Sequence, residues 1–234
     1  MSRILVALDV PSREQAVALA RPLRGEVAGF KVGLELLMGE GPGIITDIAD
    51  LGLPIFADAK LHDIPNTVAN AIRRLGERGA RWVTVHAAGG MEMMKAAVDG
   101  LHDGTSKSAG VLAVTVLTSM TDEELTEQGI GLPASTQVSR LAAMAADCGV
   151  EGVVCAVPEA RSVKALALGL AIVTPGIRPA GADNDDQARV ATPAVAVDAG
   201  ADLIVVGRPI TMAADPVAAA RAINSEIEAA LSAT

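Results

Sequence analysis

Aromatic residues are nearly missing: the 234 residues include one Trp, two Phe and no Tyr. A base-stacking platform or an aromatic-lined groove therefore has little to be built from. An excess of positive charge is missing too. Nineteen Lys and Arg stand against 28 Asp and Glu, a formal net charge of −9, which repels polyanions and argues against a nucleic-acid or anionic-membrane surface. A single small anion needs only a local cluster of donors. Cysteine is scarce as well. Cys148 and Cys155 fit neither a C-x-x-C motif nor a disulfide framework, so two free thiols in a reducing cytosol are expected, with no metal implied by them. Long apolar runs are absent: the longest, near "ALALGLAIV", is too short to span a bilayer. The N-terminal "RILVALDV" lacks the h-region and cleavage site of a signal peptide. A cytoplasmic protein is the expectation.

What the chain has in quantity is aliphatic surface, with half of its residues hydrophobic. Short β-branched runs at 3–9, 28–33, 54–60, 82–86, 110–117, 152–156, 171–174 and 202–206 alternate with Ala-rich segments of helical spacing, such as "NTVANAIRRLGERGA" and "PVAAARAINSEIEAAL". Glycines in "ERGARWVTV", "DCGVEGVVC" and "DAGADLIVV" read as helix stops before the next strand. Apolar strands alternating with helices imply a parallel sheet covered by helices. Eight such units in this length predict an α/β fold, a single-domain (β/α)8 TIM barrel over residues 1–234, in preference to an open doubly wound sheet. Two connections, 118–134 and 175–192, are too long for ordinary turns and are expected to be loops at the C-terminal mouth, where lids and binding elements lie.

Polar residues at the C-terminal ends of the strands are Asp9, Lys31, Asp58 with Lys60, and His86, followed after the eighth strand by Gly207 and Arg208. In a barrel these converge at one mouth, where catalytic groups collect. Asp58 and Lys60 are two apart on a strand and so share a face. Asp9, Lys31, Asp58, Lys60 and Asp63 together form an alternating set of charges. A structural ion-pair lattice is one reading, but burying charges for stability alone is seldom favourable. A Schiff-base lysine is another, opposed by the two carboxylates beside Lys60, which favour its ammonium form. A site that holds an anion and moves a proton explains the cluster better. The segments "TPGIRP" and "VVGRPIT" follow strands seven and eight, where such barrels often bind phosphate. His62 reads as solvent-facing or supporting, His86 as closing the fourth strand, and His102 as part of a polar turn. Met91, Met93 and Met94 read as the packing start of a helix.

In order along the chain, "LVALDV", "FKVGLEL", "FADAKLHDIPNTV", "VTVHAAGG", "VTVLTSM", "VTPGIRP" and "IVVGRPIT" resemble the orotidine 5′-phosphate decarboxylase family over nearly the whole chain. The D-x-K-x-x-D element is shared with related sugar-phosphate barrels; its combination with Lys31, "HDIPNT" and "GIRP…DQ" is specific. The resemblance implies a cofactor-free decarboxylase of a nucleoside monophosphate in pyrimidine synthesis, with no metal, and Lys31, Asp58, Lys60 and Asp63 as its charged array. It also implies a homodimer with active sites at the interface, Asp63 and Thr67 reaching into the neighbouring site beside Ile64. Asp9 and Lys31 are implied at ribose hydroxyls, and Thr118 and Ser119 in the loop covering the pyrimidine. Pro175, Arg178, Gln187, Gly207 and Arg208 are implied on the phosphate side. Two other readings are a metal-dependent sugar-phosphate decarboxylase or aldolase, disfavoured because Lys31 stands where those enzymes carry a carboxylate, and a non-catalytic phosphate-binding barrel.

Overall fold

The computed structural model describes residues 2–105, 108–166, 168–179 and 191–232. Eight parallel strands, β1 (Ile4–Ala7), β2 (Gly29–Val32), β3 (Ile55–Leu61), β4 (Ala80–His86), β5 (Gly110–Val114), β6 (Gly152–Val154), β7 (Ala171–Thr174) and β8 (Leu203–Val206), follow one another in chain order. They close into a barrel, with Ile4, Leu5 and Val6 of β1 in register with Ile204, Val205 and Val206 of β8. This is the expected (β/α)8 architecture. The expected glycine stops are also there: Gly79, Gly149 and Gly200 have φ of 98°, 74° and 98°, a left-handed conformation that costs glycine little.

Period-two alternation divides the apolar residues into two cores. Ile4, Val6, Val83, Val85, Ile204 and Val206 face outward and pack with the helices in one large buried cluster. Leu5, Ala7, Phe56, Leu112, Val173 and Val205 form a separate small cluster, the filling of the barrel. Continuing that inner parity towards the C-terminal mouth brings Asp9 after Ala7, Asp58 and Lys60 after Phe56, and Thr84 and His86 after Trp82. The inner face thus changes from apolar to charged near the strand ends.

The far end of the barrel is fastened by a polar clamp. Arg81 donates from both terminal nitrogens to Glu151, at 2.7 and 2.6 Å, and Trp82 Nε1 donates to the same carboxylate at 2.8 Å. The Arg81 guanidinium also stacks over the Trp82 ring, 4.6 Å from its centroid. Partial burial disfavours the Glu151 carboxylate, but the hydrogen bonds from Arg81 and Trp82 and the charge of Arg81 outweigh it and hold the pKa below 4.5.

Several expectations need correction. β1, β5 and β6 stop earlier than the apolar runs suggest, because ladder pairing ends where the mouth opens; Asp9 therefore lies beyond β1. The connection 118–134 is not a plain loop. It carries the helix Asp122–Glu127, started by a capping box in which Thr121 and Glu124 satisfy each other's backbone N–H groups. Asp122 Oδ1 also accepts from Ala134 N at 2.8 Å, tying the two ends of this excursion together. His102 lies in the helix Met91–Gly104 and not in a turn. Gly100 and Gly104 sit inside that helix because side chains there would strike the backbone at Ala69 and Arg73 of the helix Pro65–Glu77. Met93 and Met94 are buried, as packing residues should be, while Met91 is partly exposed. Cys148 and Cys155 are free and buried, and burial pushes the Cys148 thiol up. No helix among the described residues is long and apolar enough to cross a membrane.

Candidate active site

At the C-terminal mouth lies a cavity of about 440 Å³, whose lining includes Asp9, Lys31, Asp58, Lys60, Arg178, Gly207 and Arg208. Phe56, Val114, Val154 and Val205 supply apolar wall between these polar groups. Charged groups set among apolar walls suit a partly apolar ligand that carries an anionic group.

Asp58 is the hub of the charged array. Its Oδ2 lies 2.7 Å from Lys60 Nζ and 3.7 Å from Lys31 Nζ, and Lys31 Nζ in turn lies 3.0 Å from Asp9 Oδ1. Asp58 and Lys31 side chains are nearly buried, whereas Lys60 retains about a third of its exposure and points into the cavity mouth. The second Asp58 oxygen, Oδ1, accepts from the Thr84 hydroxyl at 3.0 Å. With both oxygens engaged the carboxylate has a fixed orientation.

Local backbone conformation produces this geometry. Ala57 pairs with Val83 and Leu61 with Val85, so Asp58, Ala59 and Lys60 stand opposite Thr84 alone, in a bulge of β3. Lys60 has φ of 47°, and no other described non-glycine residue has positive φ. A long side chain in that region is strained, and such strain collects at functional sites. Gly33 makes room beside Lys31 and Asp9. A Cβ there would come within 2.8 Å of Lys31 Nζ and 3.0 Å of Asp9 Oδ1, so any side chain would disturb that pair.

The same cavity also offers groups suited to an anion. Arg178 is a buried cation whose Nη1 donates to the Ile177 carbonyl at 3.0 Å. Among the described residues its buried Nε has no hydrogen-bond partner, which is unfavourable unless a ligand supplies an acceptor. Gly207 precedes the short helix Arg208–Thr211 and, like Arg178 and Arg208, lines the cavity.

The family model described as "Orotidine 5'-phosphate decarboxylase / HUMPS family" matches residues 2–223. The chain belongs to that family. Orotidine 5′-phosphate decarboxylase from Anaeromyxobacter sp. (strain K) is 53% identical over 222 residues, covering 94% of this chain and 96% of the relative. The protein of that name from Pseudomonas aeruginosa (strain LESB58) is 46% identical over 226 residues, covering 97% of each. The crystal structure of orotidine 5′-phosphate decarboxylase from Lactobacillus acidophilus superposes with a TM-score of 0.85 at 41% identity, covering 97% of this chain and 99% of that one.

Of the family motif positions, Asp9, Lys31, Asp58, Lys60, Thr118, Pro175, Arg178, Gly207 and Arg208 line one cavity. Asp63, Ile64 and Thr67 do not line it within one chain; they are exposed, and Asp63 Oδ1 accepts from the Ile64 N–H at 2.6 Å. Ser119 lies one residue beyond the lining at Thr118. Gln187 lies outside the described residues. His86 is partly buried at the end of β4, with its ring centroid 5.6 Å from that of the exposed His62. Desolvation, then the charges of His62 and Lys60, push the His86 pKa below 6.5, with Asp58 opposing. Thr84 and Gly33 escaped sequence reasoning, the first because it reads as an ordinary β-branched strand residue, the second because it reads as the last residue of the run 28–33.

Proposed function

We propose that the protein decarboxylates orotidine 5′-phosphate to uridine 5′-phosphate and CO2 without a metal or organic cofactor. The observation that carries this reading is Asp58, held by Thr84 and shared between two lysines, in a cavity that Arg178 and Arg208 also line. Relatives at 46–53% identity over nearly the whole chain bear the decarboxylase name, which supports the same substrate here.

Loss of CO2 from C6 of the orotate ring breaks a C–C bond and leaves its electron pair in the ring plane, orthogonal to the π system. No enolate sink is available, so the site must stabilise the charge directly. Lys60 as an ammonium faces that pair and then transfers a proton from Nζ to C6, while Asp58 keeps the ammonium oriented. The preorganised charges do most of the work; repulsion between Asp58 and the departing carboxylate adds ground-state destabilisation. Asp9 and Lys31 hold ribose hydroxyls, and Arg178, Arg208 and the Gly207 turn hold the phosphate, whose binding energy draws the long loops over the ring.

Against a metal-dependent sugar-phosphate enzyme stands the position of Lys31, 3.0 Å from Asp9 and 3.7 Å from Asp58. A cation already occupies the space between those carboxylates and would repel a divalent ion.

The active unit is a homodimer in which Asp63, Ile64 and Thr67 complete the neighbouring site. Supporting this, Ile64 is 67% exposed, and Leu34, Met38, Met91 and Leu117, which follow β2, β4 and β5, are also exposed apolar residues. Exposed apolar residues on the segments that follow β2, β3, β4 and β5 suit an isologous interface. The test is to mix purified protein with orotidine 5′-phosphate, with and without a chelator, following orotate absorbance and CO2. Chelator-insensitive turnover is expected; no turnover by folded protein, or turnover lost with chelator, contradicts the reading.

A further inference from the structure

The geometry points to Thr84 as a positioning residue that sets the distance and direction of the Asp58–Lys60 pair through both the side chain of one and the backbone of the other. Thr84 is fully buried on the inner face of β4. Its Oγ1 accepts from the Lys60 N–H at 2.9 Å and donates to Asp58 Oδ1 at 3.0 Å. In the bulge a side-chain oxygen thus does what a ladder carbonyl does elsewhere, giving the Lys60 N–H an acceptor.

The two bonds fix one another's direction. Because the oxygen accepts from Lys60, its own proton is free to go to Asp58, and that leaves Oδ2 facing both ammonium groups. The left-handed Lys60 backbone, at φ 47°, needs such a restraint, since the relaxed alternative for a lysine lies elsewhere in φ/ψ space. A threonine serves both needs: its hydroxyl makes the two bonds, and its branched Cβ restricts the rotamer. Removing the oxygen releases the bulge and the carboxylate together.

For its kinetic arm this inference rests on the decarboxylase reading; its structural arm does not. Thr84→Val keeps the shape and removes the hydroxyl, and Thr84→Ser restores it. Expected for Thr84→Val is a kcat for orotidine 5′-phosphate lower by about 10- to 100-fold, the effect of a lost hydrogen bond to a charged group. KM should move less than about threefold, because the phosphate and ribose contacts remain. Thr84→Ser should recover most of the loss. A merely structural threonine would lower the melting temperature without this division between kcat and KM. A crystal structure of Thr84→Val should show Lys60 out of the left-handed region or Asp58 turned away from Lys60. Unaltered geometry, or wild-type kcat in the folded variant, overturns the inference. A wild-type protein silent towards orotidine 5′-phosphate would overturn the decarboxylase reading instead, and the crystal structure would then decide the role of Thr84 by itself.

Discussion

Replacing Asp58 with Asn changes one atom and one charge at the centre of the array. Thr84 commits its proton to Oδ1 because its oxygen already accepts from Lys60 N, so an asparagine must present its carbonyl there. Its amide nitrogen then takes the place of Oδ2, 2.7 Å from one ammonium and 3.7 Å from another. Attraction becomes a meeting of donors. At an effective dielectric near 20, the two lost charge–charge attractions amount to about 6 and 4–5 kcal/mol. Lys60 is 32% exposed, and water with side-chain reorientation recovers part of this. A net loss of about 3–5 kcal/mol is what breaking a buried pair costs. If the orientation of Lys60 governs the chemical step, kcat/KM for orotidine 5′-phosphate should fall roughly 10²- to 10⁴-fold. The assay is orotate absorbance under single-turnover conditions, with circular dichroism to establish folding. A folded Asp58→Asn enzyme within tenfold of wild type would refute the reasoning.

The proposed composite site makes a different kind of prediction. Asp63 is exposed and does not line its own chain's cavity, whereas Lys60 does. Mixing Lys60→Ala with Asp63→Asn protein, each nearly inactive, should restore up to about a quarter of wild-type activity, since half of randomly exchanged dimers carry one intact site of two. No recovery after demonstrated subunit exchange would place Asp63 outside the site. At the far end of the barrel, Glu151→Ala should lower stability by about 2 kcal/mol, less than fully buried bonds would give, or roughly 4–8 °C in Tm. Activity at 25 °C should be unchanged. Because the folded Glu151 pKa lies below 4.5, its contribution is present above that pH and is lost as pH falls through the folded pKa. The variant should therefore converge on wild type in acid, and a Tm difference constant across pH would contradict the clamp.

The barrel was legible because eight apolar runs alternate with helical ones and because β3 carries charge at the same parity as its buried Phe56. Reading the polar residues at the strands' C-terminal ends brought Asp9, Lys31, Asp58 and Lys60 to one mouth. What it could not reach depends on register. Thr84 matters because a bulge sets it opposite three residues of β3, and nothing in "WVTVH" announces that. The left-handed Lys60 is hidden for the same reason, since lysine carries no turn signal. The helix Asp122–Glu127 had a signal in the T-x-x-E spacing of Thr121 and Glu124, a capping box within a stretch otherwise rich in acid and read as loop. His102 was misread because its flanking glycines suggest a turn; close packing against the helix Pro65–Glu77 outweighs their low helix propensity.

The most direct test of the central claim is turnover by purified Lys60→Ala, measured beside its affinity for uridine 5′-phosphate. Lys60 Nζ is the ammonium closest to Asp58 and among the groups lining the cavity, while Arg178 and Arg208, which follow β7 and β8, make none of the array's ion pairs. The account predicts turnover nearly abolished with the fold and nucleotide affinity largely retained. Turnover preserved in the folded variant would contradict Lys60 as the proton donor.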